Sequence, residues 1–403
     1  MQYIFILGNN PELSLAEIRA VRPDLKLLKN RRSYAVFSGE IIDCQKLLNR
    51  LGGTIKIGEK LGERIAEAAI TEAIKNHQGE PASTRSSRLA RAEADIERGE
   101  GRVNFGFSCY NLAFDRRSAL AIKKKLKADG INSRLVESRE KALSSVIVIK
   151  EKVWDFLITS DGWGLTKAVQ DFKDYGQRDR GRPKADARSG MLPTKLAKIM
   201  INLSGLDAAK QSQAVLLDPF CGSGTILTEA LALGFTNLMG CDLAQKAVDD
   251  TRENLEWQNK FSILNFQSLD FARDKLSNNF QLFNLDVRKL SSKIAAGSVG
   301  AIITEPYLGK PLRGGESKME IKKIASQLAD LYLASFREFK KILKTDGKVV
   351  IVFPQWHLGN EIYDLDIFSA VKSLGFNRLD AGDLVYKREG QRVWRVITVW
   401  KKL

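Results

Sequence analysis

The stretch Leu216-Leu217-Asp218-Pro219-Phe220-Cys221-Gly222-Ser223-Gly224-Thr225 constrains this chain more than any other. An apolar strand runs into a glycine turn and then a helix, Ile226 to Leu233, which is the start of a ligand-binding βα unit. Glycines 222 and 224 permit backbone angles that other residues resist and let a ligand approach the main chain closely. An acid follows at Asp242, directly after the next strand, where it can take ribose hydroxyls. A dinucleotide fold would need glycine at position 227, which is Leu227, and a helix N-terminus open to pyrophosphate. Asp218 instead sets a carboxylate at the strand end, which suits a cationic amino-acid group. S-adenosylmethionine has a ribose, an ammonium and a sulfonium but no phosphate, and is the expected cofactor.

The surrounding pattern agrees. Strand-like runs at 214–217, 237–240, 280–283, 299–303 and 348–353 alternate with amphipathic helices, predicting a parallel sheet covered on both faces. Leu384 to Lys387, a turn at Glu389-Gly390, and Val393 to Trp400 read as a final hairpin that adds an antiparallel strand. Asp286 lies just past the run at 280–283, where it could accept from an adenine amino group, with Asp270 as the alternative. Cofactor contacts are therefore expected at Asp218, Phe220, Gly222, Gly224, Thr225, Asp242, Leu243, Asp286 and Val287.

The first half reads differently. Tyr3 to Leu7 and Tyr34 to Phe37 are strand-like, Glu12 to Ile18 and Ile41 to Leu51 helix-like, and Ile55 to Gly58 follows a Gly-Gly turn, giving a small α+β unit over 1–58. Residues 61–100 are polar and helix-forming, with a Ser/Thr/Arg-rich loop at 83–88. A strand at 103–108, a helix near 116–129 and strands at 133–136 and 146–149 make a βαββ module within 59–160. The charged stretch 161–190 is read as a connector, leaving 191–403 as the third domain.

Charge narrows the partners. The chain has a net charge of +16. Residues 1–200 hold 37 Lys and Arg against 25 Asp and Glu, whereas residues 201–403 hold 27 against 23. A basic excess gathered in one half points to a polyanion, although charge alone does not separate RNA from DNA or an anionic membrane. No run reaches the eighteen or so apolar residues of a membrane span, and the start, Met1 to Gly8, reads as a strand rather than a leader. Cys44, Cys109, Cys221 and Cys241 are scattered, and only His77 and His357 accompany them, so no metal site, no disulfide framework and a reducing, cytoplasmic setting are expected.

Ala301-Ile302-Ile303-Thr304-Glu305-Pro306-Tyr307-Leu308-Gly309 runs from a buried strand into a proline-stiffened turn. It is similar to the acid–proline–aromatic turn of methyltransferases acting on exocyclic amines. Phe5 to Ser14 resembles the opening of THUMP-domain tRNA guanine-N2 methyltransferases of the guanosine-10 type, class I enzymes that use S-adenosylmethionine. Glu137-Ser138-Arg139 with Leu143-Ser144-Ser145-Val146 is similar to that family's THUMP signature. Val169 to Tyr175 and Gly190-Met191-Leu192-Pro193-Thr194-Lys195-Leu196-Ala197 resemble its connector and pre-cofactor motif, which adds Met191 and Thr194 to the cofactor contacts. Where the family has Thr-Asp-Pro-Pro-Tyr-Gly, this chain has Thr-Glu-Pro-Tyr-Leu-Gly, so Glu305 stands for the acid and Tyr307 for the second proline.

The resemblance implies a fold and a reaction. The fold is α/β, a Rossmann-like methyltransferase domain with a mixed seven-stranded sheet, preceded by an α+β N-terminal region with a ferredoxin-like domain (1–58) and a THUMP module (59–160). The reaction is methylation of guanosine N2 in tRNA, with Glu305, Pro306 and Tyr307 at the acceptor. RNA contacts are expected from Arg116, Arg117, Lys123, Lys124 and Lys127 on one helix and from Arg178, Arg180, Arg182, Lys184 and Arg188 in the connector. A monomer is expected, though related enzymes sometimes use a small activating partner. Two rivals share parts of this pattern: a DNA amino-methyltransferase and a non-catalytic THUMP-type RNA-binding protein.

Overall fold

The computed structural model describes residues 1–76, 102–184, 191–208, 214–265 and 279–403, apart from 311, 313, 380, 381, 383 and 389. His77, the 83–88 loop, Arg188 and Asp270 lie outside the described residues. The chain divides into two compact units, Met1–Leu15 with Arg22–Lys173, and Ala16–Val21 with Asp174–Leu403.

The strands of the first unit are β1 (Gln2–Leu7), β2 (Lys26–Asn30), β3 (Tyr34–Ser38), β4 (Thr54–Gly62), β5 (Val103–Tyr110), β6 (Ser133–Val136), β7 (Trp154–Thr159) and β8 (Gly162–Val169). Helices α1 (Pro11–Val21), α2 (Cys44–Arg50), α3 (Glu67–Asn76), α4 (Arg116–Ala128) and α5 (Ser145–Lys150) come between them in sequence. All eight strands form one sheet in the order β2-β3-β1-β4-β8-β7-β5-β6. The two modules expected at 1–58 and 59–160 therefore share a sheet, joined where β4 runs antiparallel to β8. Strand β8 lies inside the expected connector. Its Gly164 permits the join, because a Cβ there would sit 2.2 Å from the Glu59 carbonyl oxygen on β4.

Val146 to Ile149, expected as a strand, is helix α5 instead. Ser144 caps it, its hydroxyl accepting from the Ile147 N–H at 3.3 Å, and Val148 turns into a cluster with Val136, Leu143 and Val153. The β-branched run followed the cap and its packing rather than its propensity. Under the same turn Lys56 and Asp155 form a buried pair, Nζ to Oδ2 at 2.5 Å. Lys56 Nζ also donates to the Leu143 carbonyl and Ser108 Oγ, and Ser108 Oγ accepts from Leu143 N–H. The Leu143-Ser144 stretch thus has a structural task, closing a buried polar network and starting a helix.

In the second unit, α6 (Phe172–Arg180) and α7 (Thr194–Leu203) lead into β9 (Val215–Asp218), α8 (Thr225–Ala232), β10 (Asn237–Asp242), α9 (Gln245–Asn265) and β11 (Asn279–Asn284). Then come β12 (Val299–Thr304), α10 (Lys318–Ile342), β13 (Leu343–Leu358), β14 (Glu361–Tyr363), α11 (Phe368–Ser373), β15 (Phe376–Arg378), β16 (Leu384–Tyr386) and β17 (Val393–Lys402). The sheet follows β11-β10-β9-β12-β13-β17-β15. That is the expected seven-stranded path; short β14 on β13 and β16 on β17 bring the sheet to nine strands. Strand β17 runs antiparallel to β13 and β16, as the hairpin reading predicted. Helix α10, opened by a Ser317–Glu320 capping box, buries Tyr332, Phe336 and Phe339 against Ile302, Val349, Ile351 and Trp400. The carboxyl ends of β9, β10 and β12 bring Asp218, Asp242 and Thr304 to one edge, where open α/β sheets bind ligands.

Candidate active site

The glycine turn after β9 is held from behind by α9. Thr251 Oγ1 donates to the Gly222 carbonyl and Asn254 Nδ2 to the Ser223 carbonyl, each at 2.8 Å. Gly224 has φ +79° and starts α8, and a Cβ on it would meet Thr251 Cγ2 at 2.9 Å. Gly222 has φ +51°, yet nothing lies within 4 Å of a Cβ built there. Position 224 needs glycine for packing, whereas position 222 keeps the space above the turn open.

The acids define what that space can hold. Asp242 accepts from the Gly222 N–H at 3.0 Å through one oxygen and from the Ala244 N–H at 2.9 Å through the other. The Gly224 N–H is donated to the Cys221 carbonyl. A phosphate needs such N–H groups free, and here the chain's own acceptors take them. Asp218 is 2% exposed and accepts from Thr304 Oγ1 at 2.7 Å and Phe220 N–H at 3.2 Å. Burial pushes its carboxyl up to about 7, with the charges of Asp242 and Glu305 adding and the two donors opposing. A cationic group reaching Asp218 would restore its charge. Asp286 starts the 3-10 helix Val287–Ser292, accepting from the Arg288 N–H at 2.9 Å, with Val287 buried beneath. Phe220 is half-buried against the core, and Leu243 is 74% exposed at the end of β10. This set of hydroxyl and ammonium acceptors around an open glycine turn fits the groups of S-adenosylmethionine.

The turn expected to hold the acceptor follows β12. Thr304 closes β12, so the next residue, Glu305, emerges within one peptide unit of the Asp218 contact. Pro306 is buried, whereas Tyr307 is 56% exposed. The Glu305 carboxylate is engaged by Arg395 of β17, Nε to Oε1 at 2.5 Å and Nη2 to Oε2 at 3.4 Å. Burial raises the Glu305 carboxyl, and Arg395 acts against that rise. Sequence reasoning missed Arg395. Its signal was a lone arginine inside the apolar run Val393 to Trp400, where a buried cation needs an acid.

Two expected RNA contacts are corrected. Arg178 is buried against Glu229 of α8, Nε to Oε1 at 3.3 Å, and pairs with Asp174 at 2.9 Å. Arg182 is buried behind the cofactor turn, where Nη1 donates to Thr225 Oγ1 at 2.7 Å and Nη2 to Met191 Sδ at 2.8 Å. Each guanidinium braces the interior and neither reaches solvent enough to grip phosphates. Met191 is accordingly held by Arg182, and Thr194 Oγ1 donates to Asp179 at 2.7 Å. In the first unit, α4 buries Ala119, Ile122 and Leu126 and leaves Arg116, Arg117, Lys123, Lys124 and Lys127 exposed. Arg116 pairs with Glu137 at 2.8 Å.

Strand order, glycine turn and the three acids at one sheet edge define a Rossmann-like methyltransferase fold. Residues 181–372, a little under half of the chain, match the family model described as UPF0020, RMKL-like, methyltransferase domain. A tRNA (guanine(10)-N2)-dimethyltransferase of Methanothermobacter thermautotrophicus is 29% identical over 202 residues, 48% of this chain and 52% of the relative. Its namesake from Methanocaldococcus jannaschii is 28% identical over 183 residues, 45% of this chain and 43% of the relative. The chain thus spans about half the length of these curated relatives. The crystal structure of TrmN from Thermus thermophilus shares the fold, with a TM-score of 0.51 at 15% identity and full coverage of both chains. Among the described residues no helix is long and apolar enough to cross a membrane.

Proposed function

We propose that this chain transfers a methyl group from S-adenosylmethionine to the exocyclic N2 amine of guanosine in tRNA. The observation that carries the reading is the link from Asp218 through Thr304 to Glu305, which joins a cofactor edge to an amine-acceptor turn. The relatives' names support the substrate class. When bound, S-adenosylmethionine supplies an electrophilic methyl on sulfur.

Asp218 would face its ammonium, Asp242 its ribose hydroxyls, and Asp286 with Val287 its adenine edge. The guanine N2 lone pair is delocalised into the ring, so the amine is a weak nucleophile. Glu305 and the Pro306 carbonyl accept its N–H groups, which orients the lone pair and stabilises the positive charge that builds on nitrogen. With Glu305 and the Pro306 carbonyl still accepting the amine's N–H groups, the surplus N–H proton of the methylated amine would pass to water. Exposed Tyr307 offers a face on which the target base stacks.

Residues 59–160 act as a THUMP-type RNA-binding module, with the α4 cations meeting phosphates. The protein works as a cytoplasmic monomer on tRNA. The deciding experiment is methylation of unmodified tRNA and of duplex DNA by wild type and Glu305→Ala, with nucleoside mass spectrometry. N2-methylguanosine from tRNA alone, lost in the variant, is the expected result. Another methylated nucleoside, or none from a protein that binds the cofactor, would overturn the assignment.

A further inference from the structure

Glu305 sits where an acceptor for the target amine belongs, yet it already has a partner. The guanidinium of Arg395 meets both of its oxygens, and the side chains are only 10% and 15% exposed. The two residues come from different strands. Glu305 follows the end of β12, β12 runs parallel to β13, and Arg395 lies opposite Pro354 of β13 in the antiparallel register with β17. Arg395 therefore reaches across β13, at the level of Pro354, to hold the acid. No residue near Glu305 in sequence supplies this contact; the fold brings it from 90 positions away.

The chemistry says what the contact does. Glutamate has one more methylene than aspartate, and with it one more rotatable bond and a wider arc for its carboxylate. Left alone in a mostly buried turn, such an acid would wander or take up a proton. A two-point guanidinium contact fixes the plane of the carboxylate and favours its charged form. An ionised carboxylate has about four lone-pair sites, so two remain for an amine N–H. Among the described residues, Tyr332 of α10 and Asp218 of β9 are the further titratable groups shifted by Glu305, and neither is cationic.

We propose that Arg395 is the positioning residue of the acceptor site, holding Glu305 ionised and aimed so that it can take a hydrogen bond from the target amine. This rests on the methyltransferase reading above and deepens it. Arg395 acts through Glu305 and need not touch the substrate. A purely structural ion pair would tie β17 to the acceptor turn without altering the pH dependence of turnover.

The test compares wild type, Arg395→Met, Arg395→Lys, Glu305→Gln and Glu305→Gln/Arg395→Met on tRNA, with thermal melting and S-adenosylmethionine titration as controls of fold and cofactor binding. In Arg395→Met, kcat falls about 100-fold while cofactor affinity is unchanged. The acid limb of its kcat–pH profile moves to higher pH, and Arg395→Lys recovers part of both. The double variant is no slower than the slower single one, because the pair acts as a unit. A wild-type kcat in Arg395→Met, an unmoved acid limb, or a folded lysine variant no better than methionine would each overturn the proposal. Titration of the Glu305 carboxyl carbon by NMR, without RNA, separates the two readings. An upward shift in Arg395→Met supports the pairing even if wild type makes no N2-methylguanosine, an outcome that would sink the activity assignment instead. An unmoved Glu305 titration in that variant would overturn the positioning role whatever the activity.

Discussion

The Thr304 hydroxyl donates to Asp218 at 2.7 Å and so joins the last residue of β12 to the last residue of β9. One side chain belongs to the cofactor edge, and the other immediately precedes the acceptor acid. The bond also lowers a carboxyl that burial has pushed up to about 7. Thr304→Val removes the donor without changing shape much. It should raise the Asp218 carboxyl further and weaken S-adenosylmethionine binding near neutral pH, by about tenfold for every pH unit that the carboxyl rises. Calorimetric titration of wild type and variant between pH 6 and pH 8, pH values chosen about the Asp218 transition, would show it. Equal affinities throughout would sever the link.

Asp218 has a sign that can be checked without RNA. Its folded carboxyl titrates at about 7, against 3.8 for the ordinary group, so between those values the folded form holds a proton that the unfolded chain has released. The free protein should therefore lose stability from this group as pH rises from about 4 to about 7, and no more above that. A cationic ligand favours the ionised form, so stabilisation by S-adenosylmethionine should grow with pH over the same window. Thermal melts with and without the cofactor read both trends, and Asp218→Asn should abolish them.

The two turn glycines should fail differently. Gly222→Ala puts a methyl into open space at φ +51°, costing about 1 kcal/mol of stability while blocking the cofactor's approach. Gly224→Ala meets Thr251 at 2.9 Å as well as bearing an unfavourable φ of +79°, so its main effect should be on folding. Melting temperature and cofactor affinity, measured side by side, distinguish the two. Matching losses in both quantities would show that the glycines share one role.

The corrected arginines predict opposite salt behaviour from the exposed lysines. Replacing Lys123, Lys124 and Lys127 of α4 by alanine should flatten the slope of log K for tRNA against log salt by up to about 3, with little change in melting. Arg182→Ala empties a buried site against Thr225 and Met191. It should lower stability by about 2–3 kcal/mol and leave the salt slope where it was. A flattened slope in Arg182→Ala would return that residue to the RNA surface.

Tyr307 should matter for the base alone. Removing its ring in Tyr307→Ala should cost about 1–3 kcal/mol in kcat/KM for tRNA, with cofactor affinity intact, and Tyr307→Phe should retain most of it. A full loss in the phenylalanine variant would mean that the hydroxyl, not the ring, does the work.

The parts legible in the sequence were those set by neighbours in the chain. The glycine turn, the acids at strand ends and the alternation of β9 to β13 follow from local patterns, and the structure places them as expected. What stayed hidden depends on distant strands. Arg395 looked like one more basic residue until β17 carried it past β13 to Glu305. Arg178 and Arg182 looked like phosphate ligands because the stretch is charged, yet Glu229 and Thr225 draw them inward. Strand β8 falls inside the stretch that reads as connector for its many charges and glycines, although Gly164 is what allows β4 to come close.

That join between β4 and β8 sets a rule for cutting the gene. A fragment ending at residue 160 would retain seven strands of the N-terminal sheet but lose the one in its middle. What remains is two ribbons, β2-β3-β1-β4 and β7-β5-β6, each with a bare edge of unsatisfied amides ready to recruit another chain. The same holds on the ribosome: the first strands wait for Gly162–Val169 before their outer edge is covered. A soluble N-terminal fragment must therefore run at least through Val169, well past the point where the charge pattern invites a cut.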